Sequence, residues 1–184
     1  MGEWREIFLN EIITLEYGVG LPQENRKYGD YPVYGSNGIV DFHIDFLVKG
    51  PGIIVGRKGS IGEVCWSESN FWPIDTTYYV QPKNDVDLKW LYYKLKNLGL
   101  QKLNSASGTP GLNRNDAYKI KISMPEIILE QSKIAEILTS IDNTIEQTEK
   151  IIAKYKRMKQ GLLQDLLTKG IDENGNIRSE ATHE

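Results

Sequence analysis

The rhythm of apolar and polar positions changes near Pro125. Before it, apolar residues come in short runs: "YPVYGSNGIV", "GIIVGRKGSIGEVCW", "DTTYYVQP" and "YKIKISMP". Each run mixes β-branched and aromatic residues and is bounded by glycine, asparagine or proline, the composition of strands separated by turns. Asn37-Gly38 predicts a hairpin turn with positive φ at both positions. One helix is predicted among the strands. Asp87 offers an N-cap carboxylate, and Leu88, Leu91, Tyr92, Leu95 and Leu98 recur on one face. Residues 1–125 are therefore expected to form a mainly β domain of the α+β class.

After Pro125 there is no further proline, and no glycine before Gly161. Ile134, Leu138, Ile141, Ile145, Thr148, Ile152, Tyr155, Lys159, Leu162 and Leu166 follow one another in steps of four and three. That is a heptad seam, with only Thr148 and Lys159 polar. It predicts a coiled-coil helix within residues 126–168, from about Glu130 to Thr168, roughly 58 Å long. Such a helix is longer than a small domain is wide, so its apolar stripe wants a partner helix. The predicted dimerisation face is Ile134, Leu138, Ile141, Ile145, Ile152, Tyr155, Leu162 and Leu166. Residues 169–184 are polar and glycine-punctuated, the composition of a linker or tail.

A chain of 184 residues holds one ordinary domain plus an appendage. No apolar run approaches the ~20 residues of a membrane span. The start, "MGEWREIF", lacks a signal-peptide core, and Glu6 stands where myristoylation requires Ser or Thr. The single cysteine, Cys65, cannot form an internal disulfide, which fits a reducing cytoplasm and a packing role. A net charge of −3 argues mildly against nucleic acid, but the charge is uneven. Lys94, Lys96, Lys102, Arg114, Lys119 and Lys121 face only Asp116 between them, and Lys150, Lys154, Lys156, Arg157 and Lys159 form a second basic run. Phosphate binding needs such local patches rather than a basic average, although a solvated face has the same composition.

Enzyme motifs fail one by one. "GRKGSIG" is followed by "EVCW", which reads as a strand, so the helix N-terminus of a phosphate loop is missing. A tight hairpin eased by Gly56, Gly59 and Gly62 accounts for it better. "SGTPGLN" lacks the strand-to-helix frame as well. Asp75, Asp87 and Lys89 imitate the acids and lysine of a metal-dependent nuclease, but Asp87 already serves as a helix cap. His43 and His183 lie far apart, and the Pro-Pro dipeptide of an amino-methyltransferase loop is absent. No metal site or cofactor is expected.

Taken in order, "YPVYGSNGIV", "GIIVGRKGSIGEVCW", "TTYYVQP", "LKWLYYKLK", "SGTPGLNRNDAYKIKISMP", "EQSKIAEILTSIDNTI" and "KRMKQGLLQDLLT" resemble the DNA specificity subunit of type I restriction–modification systems. The resemblance runs from about Trp4 to the tail. It implies a target-recognition domain that reads one half of a split site on double-stranded DNA. It also implies a helix that joins the other half and the methyltransferase subunits, so that methyltransferase and restriction subunits are directed to the site. A full subunit of this family carries two such domains and two helices, so the chain looks like one half, able to pair with itself or with another half.

Three loops are the candidates for DNA contact. Arg57, Lys58 and Ser60 tip the glycine-rich hairpin with a guanidinium, an ammonium and a hydroxyl. Ser105, Ser107, Thr109, Asn113 and Arg114 form a second loop without bulky apolar groups, in which Gly108, Pro110 and Leu112 set turn geometry. Tyr34, Ser36 and Asn37 form a third. Each also fits an ordinary surface loop. Two other functions stay open: a coiled-coil adaptor whose head binds protein, and the nuclease built on Asp75, Asp87 and Lys89.

Overall fold

The computed structural model describes residues 2–103 and 111–179. The chain divides into two compact units, Met1–Glu136 and Ile137–Glu184.

In the first unit, β1 (Trp4–Phe8), α1 (Leu9–Ile12) and β2 (Ile13–Tyr17) follow without a loop. The Glu11 carboxylate accepts the Phe8 N–H at 2.8 Å, which caps α1. A hairpin of β3 (Tyr31–Gly35) and β4 (Gly38–His43) comes next, then β5 (Gly52–Gly56), β6 (Val64–Ser67), β7 (Trp72–Pro73) and β8 (Thr77–Pro82). The helices α2 (Leu88–Lys96) and α3 (Arg114–Tyr118) precede β9 (Lys121–Pro125), and α4 (Ile128–Lys169) begins immediately after it.

The strands form three small sheets, in the orders β1-β9, β2-β8-β5-β6 and β4-β3-β7. All pairs are antiparallel except β3 with β7. Both faces of the four-stranded sheet are covered. Ile53 and Val55 of β5 join the main core with Leu9, Ile13, Tyr78, Trp90, Leu91 and Leu95. Ile54, between them, points the other way into a second cluster with Tyr34 and Phe71. This is why "GIIV" is an unbroken apolar run rather than an alternating one.

The predicted strands and the cap on α2 are present, with three differences. The β3–β4 turn is Ser36-Asn37, one residue earlier than expected. Positive φ falls on Gly38 (+111°) and, among the described residues, on no residue other than glycine, because a side chain there would cost strain that glycine avoids. Strands β1 and β2 were not anticipated: "REIFLNEIITLEY" carries no turn residue, and β1 finds its partner β9 at the far end of the domain. Trp90, also unanticipated, is a buried core residue of α2.

Helix α4 starts two residues before the expected Glu130. Its first turns belong to the first unit, where Gln131 and Ala135 are buried and Ile134 packs against the main core. The expected dimerisation seam thus loses its first position to the domain. In the second unit Leu138 is half-buried, while Ile141, Ile145, Ile152, Tyr155, Leu162 and Leu166 are exposed. The seam's polar member Thr148 returns its hydroxyl to the Thr144 carbonyl at 2.8 Å. The segment expected to be a plain tail folds back on itself. Ile171 and Ile177 form a β-bridge, and Asp172 Oδ1 accepts the N–H groups of Asn174 and Asn176 at 2.9 and 2.8 Å. Those N–H donors hold the Asp172 carboxyl below its usual range. Among the described residues, no helix is long and apolar enough to cross a membrane.

Candidate functional site

The glycine-rich segment is a hairpin tip between β5 and β6. Gly56 donates its N–H to the Glu63 carbonyl and accepts from Gly62 N–H, both at 2.8 Å. Gly59 and Gly62 take positive φ, +75° and +70°. The element that follows is a strand, as the failed phosphate-loop pattern required.

The candidate loops meet. A Cβ on Gly56 would lie 2.7 Å from the Ser36 carbonyl oxygen, so the β3–β4 turn sits directly against the hairpin base. On its other flank, Leu112 N–H donates to the Arg57 carbonyl at 2.8 Å, and Lys58 forms a β-bridge with Gly111. Three segments far apart in sequence thus surround one place, and no single segment reveals this. Ser105, Ser107 and Thr109 lie outside the described residues.

Arg57 is held on both its backbone and its side chain. Its N–H donates to the Thr76 carbonyl at 2.9 Å, and its guanidinium donates to the Asp75 carbonyl at 3.0 Å. The guanidinium carbon also sits 4.7 Å from the centre of the Tyr17 ring and 5.9 Å from that of Tyr78. Arg114, at the first position of α3, approaches the same Tyr17 ring at 4.8 Å and donates to the Leu15 carbonyl at 3.3 Å. Two cations against one aromatic ring are each attracted by its quadrupole. Beneath them Tyr78 is buried, and its hydroxyl donates to the Leu112 carbonyl at 3.0 Å. Burial is the main cause that raises its phenol above the ordinary value of 10; the neighbouring Tyr17 adds to this and Arg57 opposes it.

The other expected residues divide. Lys58 is exposed and 3.9 Å from the Asp75 carboxylate, a surface pair of little energetic weight. Ser60 and Ser36 are half-buried and Asn37 is exposed. Asn113 caps α3, its side-chain oxygen accepting the Asn115 N–H at 2.9 Å. Tyr34 departs from the expectation: it is 5% exposed and packs edge-on against Phe71 at 5.7 Å. Its hydroxyl donates to the Trp66 carbonyl at 3.2 Å. Tyr34 therefore supports the turn from below, and Ser36 and Asn37 form its surface. Sequence reasoning missed Tyr17. It follows Ile13 and Leu15 in period-2 alternation, so it reads as one more core residue, and only its place at the strand end leaves it 45% exposed.

The three residues of the nuclease pattern are scattered over separate tasks. One carboxylate oxygen of Asp87 accepts the Trp90 N–H at 2.8 Å and the other accepts the Ser132 hydroxyl at 2.7 Å. Lys89 lies 3.9 Å over the Trp66 ring and donates to Glu68 at 3.3 Å. Asp75 faces Lys58 instead.

A protein-family model described as the type I restriction modification DNA specificity domain matches residues 1–157. The Escherichia coli type I restriction enzyme EcoprrI specificity subunit is 25% identical over 165 residues, covering 85% of this chain and 41% of that protein. The Methanocaldococcus jannaschii MjaVIII specificity subunit is 30% identical over 129 residues, covering 68% of this chain and 27% of that one. The chain thus spans less than half the length of these relatives. Among solved structures, the type I restriction–modification S subunit from M. genitalium superposes with a TM-score of 0.73 at 21% identity. The match covers 94% of this chain and 47% of that one, a likeness of fold.

Proposed function

The chain belongs to the type I restriction–modification DNA specificity domain family, and on that premise we propose that its first unit reads one half of a bipartite site on double-stranded DNA. In this reading it performs no chemistry itself. It directs methyltransferase and restriction subunits to the site, in the cytoplasm, with no cofactor of its own. The observation that carries the reading is the meeting of the hairpin tip, the Ser36-Asn37 turn and the Gly111–Arg114 segment around two guanidiniums. Base edges and phosphates are read by such groups on rigid turns. Arg57, Lys58, Ser60, Ser36, Asn37 and Arg114 are the proposed contacts among the described residues.

Helix α4 is the proposed joining element. The exposed stripe of Ile141, Ile145, Ile152, Tyr155, Leu162 and Leu166 pairs with the same helix of a second copy or of another specificity half. A parallel pair would set Lys159 against Lys159 in the seam; an antiparallel pair separates them. Pairing of this kind gives two recognition domains for the two halves of a split site.

The test is binding of labelled duplex DNA by the chain assembled with candidate methyltransferase subunits. Salt-dependent binding to duplex supports the reading. Assembly without any DNA affinity supports a protein-binding adaptor instead.

A further inference from the structure

Arg57 and Arg114 bring two like charges to one aromatic ring. Their guanidinium carbons lie 4.7 and 4.8 Å from the centre of the same Tyr17 ring. Two like charges that close to one point are no farther apart than about one Debye length, ~10 Å at 0.1 M salt, so screening only partly cancels their repulsion. Among the described residues, no ion pair joins a carboxylate to either of them. Asp75, the nearby acid, offers its carboxylate to Lys58 and only its backbone carbonyl to Arg57. Each guanidinium is instead held by one main-chain carbonyl and the Tyr17 ring, with the Tyr78 ring also near Arg57. One carbonyl occupies a single N–H of the five that a guanidinium carries. Tyr17 itself is locked in the sheet, paired with Tyr78 in the β2–β8 register and in tilted ring contact with it at 5.1 Å.

We propose that Tyr17 is the positioning residue of the DNA contact: its ring holds Arg57 and Arg114 as one preorganised pair of cations for the phosphates of duplex DNA. This rests on the DNA-recognition reading above. A free arginine side chain loses rotamer entropy when a phosphate orders it, whereas a stacked guanidinium has lost most of that freedom already. The phosphates would also relieve the repulsion between the two cations. Tyr17 needs no contact with DNA to act in this way, and its ring matters while its hydroxyl does not.

The experiment compares wild type, Tyr17→Phe and Tyr17→Leu, each as the full chain assembled with its methyltransferase subunits. The probe is a short labelled duplex of arbitrary sequence, and thermal melts verify that all three are folded at the assay temperature. Tyr17→Phe should bind as wild type does, and Tyr17→Leu should bind roughly tenfold more weakly, the loss expected when two arginine side chains must be ordered on binding. In an Arg57→Ala/Arg114→Ala background, Tyr17→Leu should have no further effect. A core-packing role would lower the melting temperature in either background and leave affinity of the folded protein unchanged. Equal binding by Tyr17→Leu and wild type overturns the positioning role while leaving the DNA reading intact. A wild-type assembly that binds no duplex overturns both.

Discussion

Gln131 in the first turns of α4 accepts the backbone N–H of Asp87 at 2.9 Å, across 44 residues of sequence. The same side chain, 1% exposed, donates to the Pro125 carbonyl at 2.8 Å. Its neighbour Ser132 donates to the Asp87 carboxylate at 2.7 Å. The residue that caps α2 is therefore also the anchor of α4. One Asp87 oxygen caps α2 through the Trp90 N–H, and the other oxygen and the N–H are spent on α4, which makes it a structural acid.

Replacing Gln131 by Leu keeps most of the volume but strands the Asp87 N–H and the Pro125 carbonyl. Each orphaned group costs about 1–3 kcal/mol, so Gln131→Leu should lower stability by roughly 2–5 kcal/mol in urea unfolding. A loss well below 1 kcal/mol would mean that water replaces both bonds.

Arg57→Ala removes one member of the cation pair. It should weaken duplex binding by about 1–3 kcal/mol at the cognate sequence if the guanidinium grips guanine. A phosphate contact would lower affinity for all sequences alike and reduce the salt slope by about 1. Titrations at several salt concentrations distinguish these, and unchanged binding with an unchanged slope removes the hairpin from the interface.

Burial raises the phenols of both Tyr34 and Tyr78 above the ordinary value of 10. The fold thus keeps protons that the unfolded chain releases. Their stabilising contribution is complete below pH ~10 and is lost as pH climbs from there through the raised folded values. Unfolding free energy should therefore fall more steeply above pH ~10 in wild type than in Tyr34→Phe/Tyr78→Phe. The double variant should start less stable, since it lacks the bonds to the Trp66 and Leu112 carbonyls. Parallel alkaline profiles would show that neither phenol titrates differently in the fold.

Much of this was legible in the sequence, because local chemistry decided it. Glycines placed the hairpin, Asp87 placed the start of α2, and the step of four and three placed α4. What was missed depends on contacts between distant segments. Strand β1 is defined by β9, Ile134 is claimed by the domain core, and Tyr34 turns inward because Phe71 lies beneath it. Tyr17 was invisible for the same reason: its importance comes from two arginines supplied by other segments.

The exposed face of α4 predicts self-association. Ile145, 50% exposed, sits mid-seam, and Ile145→Asp should convert a species of twice the chain mass into one of single mass by light scattering. In a Cys65→Ser background, chains bearing Ile141→Cys should cross-link to chains bearing Leu166→Cys and not to themselves. Cross-links between like ends only would contradict the antiparallel arrangement.

A chain that directs a methyltransferase to one DNA sequence, as proposed, decides which bases are modified. The direct measurement is base-resolution methylation sequencing of DNA treated with the methyltransferase subunits, with and without the chain. Modification should be confined to one split motif, present only when the chain is added, and weakened or lost with Arg57→Ala/Arg114→Ala. The same sites modified without the chain, or no change with the double variant, would contradict it.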